Sequence, residues 1–139
     1  MVAVSPKIKQ DVAALAEKYG LTLVVLFGSQ VSGLTHKESD VDVAYRADKK
    51  LSFDDEVLLN FDLTEVFKND KVSLVNFKTA PPLLLKQIVT NVIVLYERTP
   101  HLFTETLLRS LRAYDDAMGI FELTAKYVSR RVDEYRHAG

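Results

Sequence analysis

Residues 21–45 have the sequence LTLVVLFGSQVSGLTHKESDVDVAY, which contains two predicted strands and the candidate site between them. It begins with an apolar, β-branched run at residues 21–27 that is too short for a typical helix and is bounded by glycines, which predicts a buried β-strand. A second apolar run, which contains Asp40 and Asp42, predicts a second strand. Because side chains at positions i and i+2 of a strand point to one side of the sheet, we expect the two carboxylates to project together.

The two carboxylates and the glycine turn before them suggest a ligand site. Asp40 and Asp42 would repel each other if both were ionised and buried without a cation. Such oxygen ligands suit Mg²⁺, which completes its coordination shell with water and substrate phosphate. Gly28 and Ser29 lie where the first strand ends and a short helix can begin, so free backbone N–H groups are available to a phosphate. The arrangement predicts a nucleotide-binding site; the alternative is a polar strand end without a ligand.

The spacing of these residues resembles a known signature. Gly-Ser, ten residues and then Asp-x-Asp, found here from Gly28 to Asp42, is similar to the motif of the DNA polymerase β-like nucleotidyltransferases. The flanking pattern and the later segment at 80–97, with its APPLLL and VLYE sequences, resemble the minimal nucleotidyltransferases, or MNT proteins. The resemblance covers about residues 5–98.

This resemblance implies a polymerase β-like nucleotidyltransferase fold and a set of site residues. It implies that Gly28 and Ser29 bind the nucleotide and that Asp40 and Asp42 are catalytic residues and metal ligands. The implied cofactor is Mg²⁺, and the implied nucleotide substrate is ATP.

One position departs from the family pattern. Polymerase β-like enzymes commonly carry a third carboxylate on the next strand, and the matching position in the predicted strand at 71–77 is Ser73. A serine hydroxyl cannot act as a carboxylate base and is a weaker Mg²⁺ ligand. Two interpretations remain open: an active enzyme with two aspartates, or a weakened descendant that mainly binds.

Length and composition predict one ordinary globular domain. The chain has 139 residues, 47% hydrophobic content, a formal net charge of −1 and no cysteine. These values exclude a disulfide framework and a zinc–thiolate site, and they give no bulk positive charge for direct nucleic-acid binding. Neither a signal-peptide pattern nor an apolar run of membrane length is present, so we expect no membrane association and a cytoplasmic location.

The remaining elements alternate between helices and strands. Ser5-Pro6 begins a helix that Gly20 ends, Ser52 begins a second helix through about residue 67, and Pro81-Pro82 begins a third. A fourth strand is predicted at 91–96. The apolar surface of the second helix is assigned to Phe53, Val57, Leu58, Phe61, Leu63, Val66 and Phe67. The pattern predicts an α/β (α+β) fold, a small mixed sheet with packed helices, at residues 1–98.

Residues 99–139 form a helical tail of different character. Thr99-Pro100 predicts its beginning, and a four-heptad apolar seam follows it, made of Leu107, Leu111, Tyr114, Met118, Phe121, Ala125, Val128, Val132 and Tyr135. Gly119 is the expected kink or break. Either the tail folds back as a helical hairpin within the same compact unit, or its distal half docks onto a helical partner.

The resemblance extends to function. MNT proteins with such tails resemble antitoxins of HEPN-domain toxins, so the chain is expected to be an Mg-dependent protein adenylyltransferase. It would transfer AMP to a tyrosine of a cognate HEPN ribonuclease toxin, with which it would form a hetero-oligomer. The alternatives are an antitoxin that acts by binding alone and a small-molecule nucleotidyltransferase.

Overall fold

The computed structural model describes residues 4–28, 31 and 40–137. The helices and strands in this part of the chain are α1 (Pro6–Tyr19), β1 (Leu21–Phe27), β2 (Val41–Ala47), α2 (Phe53–Phe67), β3 (Val72–Asn76), α3 (Pro82–Thr90), β4 (Val92–Glu97) and α4 (Leu102–His137). The predicted small mixed sheet with packed helices and a long C-terminal helix is confirmed.

The four strands form one sheet in the order β3-β2-β1-β4. β1 pairs antiparallel with both β2 and β4, whereas β2 and β3 are parallel. β1 has the predicted bounds, and all of its residues except Thr22 are buried. Its continuous apolar sequence follows from its central position, because helices cover both faces of the sheet.

Each face of the sheet has its own apolar cluster. On one face α1 and α2 contribute Val12, Ala16, Leu59 and Leu63, which pack with Val24, Leu26, Val43 and Tyr45 of the strands. On the other face Ile88 and Val89 of α3 pack with Leu23, Val25, Phe27 and Ala44, and the first turns of α4 add Leu102, Phe103 and Leu107. The result is a three-layer arrangement, with α2 and α4 on opposite sides of the sheet.

The helix ends that the sequence predicts are largely confirmed. The Ser5 Oγ accepts a hydrogen bond from the Ile8 N–H at 3.3 Å, and the Ser52 Oγ accepts one from the Asp55 N–H at 3.1 Å. Gly20 ends α1 in the left-handed conformation, with φ of 69°. These local bonds fix where the helices begin and end beside the strands.

The apolar surface assigned to α2 is only partly correct. Leu63 is buried, together with Leu59, which lies one turn before it, and Val66 and Phe67 pack partly against the same cluster. The other four assigned side chains are exposed: Phe53, Val57, Leu58 and Phe61. The reason is helical geometry, because the face centred on Leu59 and Leu63 turns these four away from the sheet.

The C-terminal segment is one continuous helix of 36 residues. It spans about 54 Å at ~1.5 Å per residue. It begins at Leu102 rather than at Thr99, because His101 has a left-handed backbone conformation, with φ of 68°, that a right-handed helix cannot include. The Glu97 carboxylate accepts the Phe103 N–H at 2.9 Å in its first turn. The predicted break at Gly119 and the helical hairpin are both wrong: α4 passes through Gly119, and from there to His137 every residue is exposed. None of the helices in the described ranges combines the length and hydrophobicity that a bilayer-spanning segment requires.

Candidate active site

The carboxylate pair lies at the beginning of β2. Asp42 is the second residue of the strand, opposite Phe27 of β1 on one side and Ser73 of β3 on the other. Asp40 lies two residues earlier, just before the strand begins, and is exposed. The Val41 N–H donates to the Lys71 carbonyl at 2.8 Å, so the chain between the two aspartates is anchored to the segment that enters β3.

Gly28 lies directly against the Asp42 carboxylate. It follows the last residue of β1 and has a φ of 82°, a backbone conformation that favours glycine. A Cβ atom built on Gly28 would overlap the Asp42 carboxylate, so the close approach also requires a residue without a side chain. The Val31 N–H donates to the Gly28 carbonyl at 3.1 Å, which closes a turn after the strand. The structure thus brings together two of the residues that the sequence singles out.

Charge is disfavoured at Asp42. Burial, and secondarily the negative charge of Asp40, raises the pKa of the Asp42 carboxyl above its usual range. Both effects penalise the ionised form of Asp42. A cation bound between the two carboxylates would stabilise that ionised form and so offset the penalty. The site therefore has the electrostatic character of one that is completed by a positive ion.

The neighbouring strand offers a hydroxyl beside this pair. Ser73 is exposed and is the β3 partner of Asp42 in the parallel register, on the side of the sheet that also carries Val75 and Phe77. The register places Ser73 beside Asp42; that Ser73 occupies the position of the family's third carboxylate stays a prediction. In the described part of the chain, no group of three or more His, Cys, Asp or Glu side chains is placed to hold a metal ion.

The donors present fit a magnesium ion that shares its coordination with a ligand. Asp40 and Asp42 supply two hard oxygen donors, and the absence of a side chain at Gly28 lets the Asp42 carboxylate lie against the backbone there. Mg²⁺ is typically bound by one or two carboxylates together with substrate phosphates and water. Ser29, the other predicted nucleotide-binding residue, lies outside the described residues.

Sequence analysis missed the residue that connects the site strand to α4. Arg46 is four residues after Asp42 and, by strand alternation, on the same side of the sheet. Its Nη1 donates to the Thr106 Oγ1 at 2.7 Å, and Thr106 is buried, with 4% of its surface exposed. The available signal was a charged residue, Arg46, within an otherwise apolar part of β2, but its partner lies 60 residues away in sequence.

The fold is similar to that of chains from several toxin–antitoxin complexes. A chain of a toxin–antitoxin structure with AMP-PNP is 24% identical, with a TM-score of 0.73, and the match covers 87% of this chain and 98% of that one. A chain of the MntA–HepT toxin–antitoxin is 21% identical, with a TM-score of 0.67 and coverage of 88% and 97%.

A third similar chain comes from the complex of a tri-AMPylated Shewanella oneidensis HEPN toxin with its MNT antitoxin. It is 22% identical, with a TM-score of 0.67 and coverage of 88% and 96%. At these identities the likeness is one of fold. Among curated protein sequences, none matches the chain.

A family model supplies the classification. The model described as "Polymerase beta, Nucleotidyltransferase" matches residues 10–101, which include β1, the whole carboxylate site and β3. The match extends over more than half of the 139 residues. This chain therefore belongs to the polymerase β nucleotidyltransferase family.

Proposed function

We propose that this protein is an antitoxin that transfers AMP from ATP to a tyrosine of a cognate HEPN ribonuclease toxin. The observation that carries the proposal is the contact between the Gly28 backbone and the Asp42 carboxylate, with Asp40 beside it. Family membership supports nucleotidyl transfer as the reaction. The similar folds in toxin–antitoxin complexes, one with AMP-PNP and one with an AMPylated HEPN toxin, support the donor and the partner.

The chain's own residues would bind and orient the nucleotide. Asp40 and Asp42 would hold Mg²⁺, which would neutralise charge on the triphosphate and on the pyrophosphate leaving group. The turn at Gly28 would admit a phosphate close to the backbone, with Ser29 as a second contact. Because Asp42 is paired with strands on both sides, its carboxylate would be held in place before the nucleotide binds.

The acceptor oxygen would come from the toxin. The tyrosine oxygen attacks the α-phosphorus, a new P–O bond forms, and the bond to pyrophosphate breaks. An ordinary phenol has a pKa of about 10, so its proton must be removed during the transfer. The β3 position beside Asp42 carries a hydroxyl rather than a carboxylate, so we infer that the toxin supplies the base.

The modification would silence the toxin by charge and bulk. An added AMP places a negatively charged group where RNA phosphates would have to bind, and like charges repel. The exposed distal part of α4 would dock the antitoxin onto the helical toxin, so that the acceptor tyrosine reaches the site. Both proteins would meet in the cytoplasm, where the RNA substrate of the toxin is.

Intact-mass measurement of the toxin tests the proposal. The co-expressed toxin, incubated with this protein, ATP and Mg²⁺, should gain the mass of one or more AMP groups. Asp40→Asn and Asp42→Asn should each abolish the gain while the fold is retained, and Asp70→Asn, at an exposed aspartate that precedes β3, is the matched control. Normal transfer by either site variant would refute the site.

A second function is favoured by Ser73 alone. With a hydroxyl in place of a third carboxylate, the chain could neutralise its toxin by binding without chemistry. An unchanged toxin mass together with a tight complex, equally tight for Asp42→Asn, would establish this alternative.

A further inference from the structure

An exposed apolar stripe runs along α2, on the side away from the sheet. The outer face of α2 consists of Phe53, Val57, Leu58 and Phe61, which are 79%, 51%, 55% and 61% exposed. Phe53, Val57 and Phe61 recur every four residues, so they form one line on the helix. Single exposed apolar residues are common, but four large ones on one helix face indicate an interaction surface.

A second apolar surface lies on α4. The distal half of α4, residues 119–137, contains no buried residue. Its exposed apolar side chains are Ile120, Phe121, Leu123, Tyr127, Val128, Val132 and Tyr135. Most helices in proteins owe their stability to an apolar face packed against something else, so this half of the helix needs a partner.

The two surfaces cannot meet within one chain. α2 packs with α1 against one face of the sheet, whereas the first turns of α4 pack with α3 against the other. Because α4 is continuous from Leu102 to His137, its distal half cannot turn back around the sheet to reach α2. A contact between them must therefore form between two copies of the chain.

Length and charge make the two surfaces complementary. α2 has 15 residues, and the distal half of α4 is slightly longer, so the helices could lie side by side over about 22 Å. The exposed side of α2 carries three acidic residues, Asp54, Asp55 and Glu65. The distal half of α4 carries four basic residues, Lys126, Arg130, Arg131 and Arg136, and three acidic ones, Glu122, Asp133 and Glu134, so its net charge is +1. Opposite charges beside an apolar contact favour its formation and fix its orientation.

We propose that the outer face of α2 binds the distal half of α4 from a second copy of this chain. The exchange is reciprocal, so each dimer contains two equivalent contacts related by a twofold axis, and the assembly closes. This self-association is separate from toxin neutralisation, although it rests on the proposed function for one point. The dimer would cover, in the free antitoxin, the α4 surface that would dock the toxin. Toxin binding and self-association then compete for α4.

Sedimentation velocity of the purified full-length chain tests the proposal. We expect a concentration-dependent dimer. Phe61→Glu on α2 and Val128→Glu on α4 should each weaken the dimer at least tenfold. Leu83→Glu, which introduces the same charge at a 57% exposed leucine on α3, should leave it unchanged. Circular dichroism checks that each variant keeps its helices, since all three positions are exposed.

A mixing experiment separates this contact from its alternatives. Phe61→Glu retains an intact α4 and Val128→Glu retains an intact α2, so an equimolar mixture should recover a dimer held by one contact. A monomer at every concentration overturns the proposal, as does a mixture that stays monomeric. A dimer that is sensitive to Val128→Glu but not to Phe61→Glu would indicate pairing of two α4 helices and also overturns it. Loss of toxin binding by Phe61→Glu, with self-association unaffected, would assign the α2 face to the toxin instead.

Discussion

Asp42 and Ser73 are paired in the parallel register of β2 and β3, so a hydroxyl stands beside a carboxylate of the candidate metal site. Neighbouring strands in a sheet are about 4.8 Å apart, which is close enough for two carboxylates at these positions to share one cation. The strand positions are therefore suited to three acidic ligands, although this chain provides two.

We predict that Ser73→Asp increases the affinity of the site for divalent cations. The new carboxylate would lie beside Asp42 and would add a hard oxygen donor and a negative charge. In isothermal titration with Mn²⁺ or Mg²⁺ and no nucleotide, the apparent Kd should fall by about tenfold, corresponding to roughly 1.4 kcal/mol. Ser73→Ala, which removes the hydroxyl without adding charge, is the control, and equal metal binding by both variants would contradict the prediction.

We predict opposite effects of Gly→Ala at two glycines. At Gly28 an alanine would adopt a strained positive φ and collide with the Asp42 carboxylate, so the free energy of unfolding should fall by about 1–3 kcal/mol. At Gly119, inside α4 and with open space around it, an alanine should stabilise the helix by about 0.5–1 kcal/mol. Urea denaturation measures both, and a neutral Gly28→Ala would contradict the close approach.

We predict that Asp42→Asn stabilises the free protein at neutral pH. The pKa of Asp42 is raised in the fold, so the unfolded chain releases this proton at a lower pH than the folded chain. Wild-type stability should therefore fall as pH rises from about 4, the ordinary aspartate value, through the raised folded pKa. The melting temperature of Asp42→Asn should exceed that of wild type at pH 7, and the gap should close below about pH 4. A wild type more stable than the variant at pH 7 would contradict this.

We predict an alkaline instability that originates at Tyr45. Its hydroxyl donates to the Glu56 Oε1 at 2.7 Å in the core beneath α2, and burial, with the hydrogen bond to Glu56, raises the pKa of the Tyr45 phenol. Above about pH 10 the unfolded chain loses this proton while the folded chain keeps it, so stability falls as pH rises. Tyr45→Phe should cost about 1 kcal/mol at pH 7 and reduce the slope above pH 10. If stability falls equally steeply above pH 10 in Tyr45→Phe and in wild type, groups other than Tyr45 cause the alkaline instability.

The parts of the fold that could be predicted are those encoded locally. β1 has the predicted bounds because its apolar run and flanking glycines lie within a few residues of one another. The motif resemblance also grouped Gly28 with Asp42 in one predicted site, and the structure places the two residues against each other. The exposure of Phe53 and Phe61 was not, because the face of α2 that meets the sheet depends on distant packing by Leu59 and Leu63. The Arg46–Thr106 bond likewise depends on where α4 docks.

We predict that the chain tolerates a cut after Met118 but not a cut after Arg98. Residues 119–137 are all exposed, so their removal should leave the denaturation midpoint of the domain unchanged while it abolishes toxin binding and self-association. A cut after Arg98 also removes Leu102, Phe103 and Leu107, which pack against the sheet, and leaves Arg46 without its Thr106 partner. The loss of this apolar burial should cost roughly 3 kcal/mol or more. Urea denaturation and ATP binding should be measured for both truncated chains. If the distal half of α4 only docks partners, the chain that ends at Met118 keeps both the stability and the nucleotide affinity of the full-length protein. If the chain that ends at Met118 is destabilised, the distal half of α4 contributes to the stability of the fold itself.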